Sequence, residues 1–323
     1  MILPQSSLSR LTLAALATLL GQVGVANAAP VVGASSMAAV ASGPASPATY
    51  ATGDGSYVSS QSSISDPTGS SYGYAFANVG GAYAVNSNSA GVGNSAAHAQ
   101  FAHRFTNTTG VAQHYTLSFY IYGGNISANA NYRPLDSGES LTSRYSASVK
   151  TNLNGTTGWN SVFSSAAIVT TDDTGSTGSR SGVDLFGSDD NFSDGNYAWS
   201  GAYYSVNLGI VAAGDFVDVL SEVDNSAMAN VGTYTFTGGD CGYGDGVGYG
   251  DARSMNCGYG EVFAGSASSF YGDPLELNGE PQAFALTAVD ARDLPEPASL
   301  ALVGLAVGAA GLARRKRKQG DGE

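Results

Sequence analysis

The chain has two cysteines, Cys241 and Cys257, 16 positions apart, and each opens the tetrapeptide Cys-Gly-Tyr-Gly. In an exported, oxidised chain such a pair most simply closes one disulfide, and a loop of that size contributes about 3 kcal/mol in the chain-entropy account. A redox thiol pair and a metal site are the alternatives for the same two residues. Asp240, Asp245 and Asp251 are interleaved with them in a glycine-rich run. Calcium takes roughly six to eight oxygen ligands, and a loop of this kind presents carboxylates and backbone carbonyls together. A second acidic cluster, Asp184, Asp189, Asp190 and Asp194 with Asn191 and Gly195, imitates the start of a helix-loop-helix calcium loop. Counted from Asp190, the third position is Phe192 and the twelfth is Gly201, where that chemistry needs oxygen ligands. A solvated acidic loop is the plainer reading of each cluster; calcium is the one candidate ion, and no other cofactor is expected.

Nucleophilic chemistry finds less support. Gly69-Ser70-Ser71-Tyr72-Gly73 satisfies the Gly-x-Ser-x-Gly pattern, but no apolar strand precedes it to feed a nucleophile elbow. The histidines are His98, His103 and His114, and an odd separation puts the first two on opposite faces of any strand that holds both. Paired carboxylates for glycoside hydrolysis have no readable partner spacing. The chain is therefore expected to be non-enzymatic, with no catalytic residues. One aromatic set, Trp199, Tyr197, Tyr203 and Tyr204 near Trp159, has the flat rings of a sugar-stacking platform, although core filling is the plainer use of such rings. Calcium-assisted carbohydrate binding is the alternative function that these residues leave open.

The elements that position these groups follow from composition and pattern. In 323 residues there are 44 glycines and only 12% charged side chains, against about 7% glycine and about 25% charged in a usual soluble domain. Apolar residues at 43%, with 18 tyrosines and 12 phenylalanines, suffice for a core. The formal charge of −13 argues against a nucleic-acid or anionic-membrane partner for the body. Period-two alternation recurs along the body. Tyr72, Tyr74 and Phe76 share a face, as do Tyr115, Leu117, Phe119 and Ile121. Phe216, Asp218, Leu220 and Glu222 alternate with Val217, Val219 and Ser221. Turn signals such as Asn107-Thr108-Thr109-Gly110, Gly123-Gly124-Asn125 and Ala213-Gly214-Asp215 separate the runs, and no stretch holds a helical period for more than about two turns. The fold class is all-β. Phe105-Thr106-Asn107-Thr108-Thr109-Gly110 followed by a strand, and Leu208-Gly209-Ile210-Val211-Ala212-Ala213-Gly214-Asp215-Phe216, resemble cues of Ig-like extracellular sandwiches, which implies a single β-sandwich; a jelly roll reads similarly.

Both termini carry addresses. Arg10, the apolar run Leu11 to Leu20, and Ala26-Asn27-Ala28 before Ala29 are the parts of a signal peptide over residues 1–28. Residues 29–66, an Ala/Ser/Gly/Pro mixture without a sustained period, read as a flexible segment, and residues 67–290 as the sandwich domain. Residues 291–297 form a linker containing Pro295, Glu296 and Pro297. The apolar stretch 298–313 spans about 24 Å as a helix, against a hydrocarbon core of about 30 Å. Arg314, Arg315, Lys316, Arg317 and Lys318 follow it, in a tail over 314–323 that the positive-inside rule keeps cytoplasmic. Between residues 29 and 293 stand 7 basic and 23 acidic side chains, so the body is near −16.

Pro-Glu-Pro, a short apolar helix and a basic cluster together resemble the PEP-CTERM sorting signal of exopolysaccharide-producing Gram-negative bacteria. The resemblance covers residues 295 to 318, and five further residues follow the basic cluster, where members of that family end close to it. It implies that Pro295, Glu296 and Pro297 are processing determinants read by an integral-membrane exosortase. It further implies export by the secretion machinery, a transient inner-membrane intermediate, and release to the cell surface or an extracellular matrix. Extracellular polysaccharide is the expected partner there.

Overall fold

The computed structural model describes residues 30–40, 49–53, 57–79, 81, 83–155, 158–235, 261–272 and 284–290. Its strands in chain order begin with β1 (Val31–Val40), β2 (Thr49–Gly53), β3 (Tyr57–Asp66), β4 (Gly69–Asn78) and β5 (Tyr83–Thr106). There follow β6 (Gln113–Ile121), β7 (Gly124–Ala130), β8 (Ser140–Leu153), β9 (Asn160–Asp172) and β10 (Gly175–Gly182). After a 3-10 turn at Phe192–Asp194 come β11 (Asn196–Trp199), β12 (Ala202–Val211), β13 (Phe216–Asn230) and β14 (Thr233–Thr235). The last are β15 (Glu261–Phe263), β16 (Gly265–Tyr271) and β17 (Phe284–Asp290). The fold is all-β, and every pairing is antiparallel.

One sheet curls over itself into two facing layers. The first runs β2-β1-β5-β13-β8-β9-β10, and the second β3-β4-β5-β16-β7-β11. Strand β5, 24 residues long, serves both: its first part pairs with β4 and β16, its second with β1 and β13. The changeover falls at Gly91, whose φ of 67° is open to glycine and where a Cβ would stand 2.5 Å from the Thr68 carbonyl oxygen. A third sheet, β12-β6-β17, extends the second layer. Ile121 faces Ala202 before the break and Gly124 faces Trp199 after it, so the register continues across it.

Residues 29–66, expected to be flexible, instead hold three strands, and β1 is buried along most of its length. The reason lies in the interior that β1 enters. Between the layers around β1 stand Ala34, Ala75, Ala77, Ala97 and Ala99 with buried serines, beside Val32, Val58 and Phe101. Ser36 shares hydrogen bonds with Ser60 and Ser62, Ser71 donates to the Ala39 carbonyl, and Ser89 donates to that of Ala227. Ser143 and Ser269 join β8 and β16 in the same way, each donating to a carbonyl of the other strand. Such short side chains carry little hydropathy signal, so strands built from them escape pattern reading.

Toward the third sheet the interior turns aromatic. Phe119 packs edge-on against Phe163 with centroids 5.3 Å apart, and Tyr204 lies over both. At the junction Trp199 stacks on Tyr145 at 4.2 Å and donates from Nε1 to the Tyr122 carbonyl at 2.8 Å. The turns at the far end of the layers share one device. Asp66 accepts from the backbone and hydroxyl of Thr68, and Asp172 does the same with Thr174; at the opposite end Asn107 does so with Thr109. Asx-x-Thr-Gly is thus a repeated turn code in this chain.

Trp199 fits because Gly124 has no side chain: a Cβ there would lie 2.4 Å from the Phe270 carbonyl oxygen and 2.5 Å from the indole. Gly124→Ala is expected to cost on the order of 1–3 kcal/mol, read as a lower urea midpoint, with tryptophan emission shifted to the red as the indole is displaced.

Candidate functional site

Strand β13 alternates strictly. Val217, Val219, Ser221, Val223 and Asn225 point inward, which leaves Asp218, Leu220, Glu222 and Asp224 on the outer face of the first layer. Each of the three acids meets a cation from a flanking strand. Asp218 is gripped by Arg104 of β5 through Nε at 2.6 Å and Nη2 at 3.0 Å, and the Arg104 guanidinium also lies 3.8 Å over the Phe216 ring. Glu222 takes Lys150 of β8 at 2.5 Å. Asp224 takes His98 of β5, Nδ1 to Oδ1 at 2.7 Å. Between the ion pairs Leu220 and Ala102 are buried beneath Val31 and Trp159.

His98 is the chemically distinctive member. Its Nε2 lies 3.3 Å from the Gln100 Oε1, so both ring nitrogens face side-chain oxygens. Burial is the largest single influence on the ring and opposes charge, but the Asp224 hydrogen bond and charge, with that of Glu222 behind it, outweigh burial and raise its pKa. Ser35 sits opposite His98 in the β1–β5 register, completing a row of Ser, His and Asp. Its Oγ has no hydrogen-bond partner and the residue is 1% exposed, which closes it to any polymeric substrate. The array as a whole is a ladder of internally neutralised charges.

The residues singled out in the sequence are placed as follows. Arg180 gathers the second acidic cluster: it pairs with Asp184 and, through Nε at 2.9 Å, with Asp190. Asp194 accepts from Asn191 Nδ2 at 2.7 Å, and Asp189 pairs by backbone with Ala198. Among the described residues no three His, Cys, Asp or Glu side chains gather as a metal-binding group. Cys241, Cys257, Asp240, Asp245, Asp251, the Pro295-Glu296-Pro297 motif, the stretch 298–313 and the basic cluster 314–318 lie outside the described residues. Among those described, no helix is long and apolar enough to cross a membrane. Ser71 of the Gly-x-Ser-x-Gly match is an interior strand residue. Tyr197 and Trp199 fill the core; of that aromatic set Tyr203 is exposed, packed edge-on to Tyr120 at 4.8 Å. His98 and His103 do point to opposite faces, the latter inward between Phe101 and Phe105, where burial lowers its pKa.

Sequence reasoning passed over the ladder itself. Its signal was available as acids at Asp218, Glu222 and Asp224 and polar groups at His98, Gln100 and Arg104, all at even positions of two strands. Only the pairing of β13 with β5 brings the two sets together.

The sign of the His98 effect on stability is fixed by the direction of its shift. A folded-state pKa above the unfolded one gives stabilisation that is complete below the ordinary imidazole value of about 6.5 and lost as pH rises through the raised value. Urea midpoints measured across that window are expected to fall with rising pH in the parent chain, and to lose that component in His98→Gln.

The sequence profile described as the PEP-CTERM protein-sorting motif matches residues 293–318. No curated protein matches the chain. The matched stretch contains Pro295, Glu296, Pro297 and the whole basic cluster, and begins three residues after β17 ends at Asp290. The chain carries a PEP-CTERM sorting motif directly behind its last strand.

Proposed function

We propose that this chain is an exported, non-enzymatic surface or extracellular-matrix protein: a β-sandwich cargo that an exosortase sorts through a membrane-anchored intermediate and that associates with extracellular polysaccharide. The sorting motif at residues 293–318 carries this reading, since such a motif implies exosortase targeting and export in a Gram-negative bacterium. The body is suited to that route. Its ladder pairs Asp218, Glu222 and Asp224 with cations of the flanking strands, and the hydroxyl of Ser35 is sealed in. A body near −16 meets an acidic polysaccharide with repulsion unless divalent cations bridge them, so matrix association is expected to depend on such cations.

Mass spectrometry of the protein recovered from cell-free matrix, washed with and without a chelator, tests the reading. The expected chain starts at Ala29, ends near Pro295, and is released by the chelator. Recovery of the intact Met1–Glu323 chain from the cytosol contradicts export and matrix location together.

A further inference from the structure

The two ends of the layered body differ in charge, and the chain leaves from one of them. Strand β17 pairs with β6 so that Asp290 lies against Gln113, which in turn faces Val211. The described loop residues at that end are Asn107 to Ala112, Ala212 to Asp215, Leu153 to Gly155, and Gly158 with Trp159. Among the described residues these loops hold a single charged side chain, Asp215, and β17 adds Asp290. The opposite end carries Asp66, Asp136, Glu139, Asp172, Asp173 and Glu261 around Arg133. In a body as acidic as this one, a nearly uncharged end is a departure from the average surface.

The same end exposes apolar side chains. Val289 and Ile210 flank His114 in one cross-strand row, one residue in from the row that ends the sheet, and are 49% and 59% exposed. Leu153 at the end of β8 is 37% exposed, and Trp159 lies half-buried on the outer face against Ala102 and Leu220. Indole is a side chain that favours the boundary between water and lipid. From Asp290 to the apolar stretch at Ala298 only residues 291–297 intervene, a span of at most about 25 Å when fully extended. A tether that short holds the end at an effective concentration on the order of millimolar against whatever anchors the tail.

We infer that this end of the body docks on the phospholipid surface during the anchored stage, with Val289, Ile210 and Trp159 at the lipid boundary and the acid-rich end turned away. The inference rests on the proposed membrane-anchored intermediate and adds the orientation of the cargo upon it. Charge supports the same direction: an anionic leaflet repels the end bearing six acids more strongly than the end bearing two.

The test uses the full chain reconstituted into phosphatidylcholine vesicles with or without bromine on the acyl chains. A tryptophan is added in turn as Ile210→Trp, Val289→Trp and, at the opposite end, Ser137→Trp, all at exposed positions. The emission added at 210 and 289 is expected to be lost in brominated vesicles and that added at 137 to be the same in both. Protein that floats with the vesicles while none of the three is quenched, or all are, overturns the docking and leaves the anchoring reading intact. Protein that fails to float overturns the anchoring reading and the docking with it.

Discussion

The interior of this protein depends on hydroxyl groups that reach across it. Face-to-face sheets ordinarily stand about 10 Å apart with large side chains interdigitated between them. Here Ser71, Ser89, Ser143 and Ser269 each donate to a backbone carbonyl of the opposing layer, and Asn225 both donates to the Ser269 carbonyl and accepts from Ser87. A serine hydroxyl spans such a gap only where the facing residues are glycine, alanine or serine. That requirement explains a chain rich in glycine and poor in charge, and it explains why the aromatic residues are displaced to the third sheet and the junction around Trp199. The hydrogen bonds compensate for the modest apolar area that alanines bury, and they fix register in a way that a smooth apolar interface does not.

This constraint also decides how much of the molecule was legible in its residues. Strands that face the aromatic half, such as β6 with Tyr115, Leu117, Phe119 and Ile121, show the alternation plainly and lie where the pattern puts them. Strand β1, Val-Val-Gly-Ala-Ser-Ser-Met-Ala-Ala-Val, has small residues on both faces and no period to detect, yet it is buried in the first layer and paired on both sides. The Asx-x-Thr-Gly turns were readable in principle, because the hydrogen bonds that make them are local. The ladder of Asp218, Glu222 and Asp224 was not, because its cations come from strands whose contacts span up to 126 positions of sequence. The sorting motif was legible for the opposite reason: it is a linear code of prolines, an apolar run and a basic cluster, read by a membrane and an enzyme without a fold between them.

The outer surface repeats the theme of groups satisfied from within. Arg104, Lys150 and His98 neutralise the acids of β13, and Arg180 neutralises Asp184 and Asp190. Beyond these pairs, an acid-rich set stands at one end of the layers and the exposed Val289 and Ile210 at the other.

The claim that interlayer hydroxyl bonds help hold the layers together is tested most directly by denaturant unfolding of Ser89→Val and Ser269→Val beside the corresponding alanine variants. Each alanine variant is expected to lose about 0.5–1.5 kcal/mol and each valine variant to lose more, on the order of 1–3 kcal/mol, as its methyl groups force the layers apart. Valine variants more stable than the parent chain contradict the account, since they show an interior with room and preference for apolar volume.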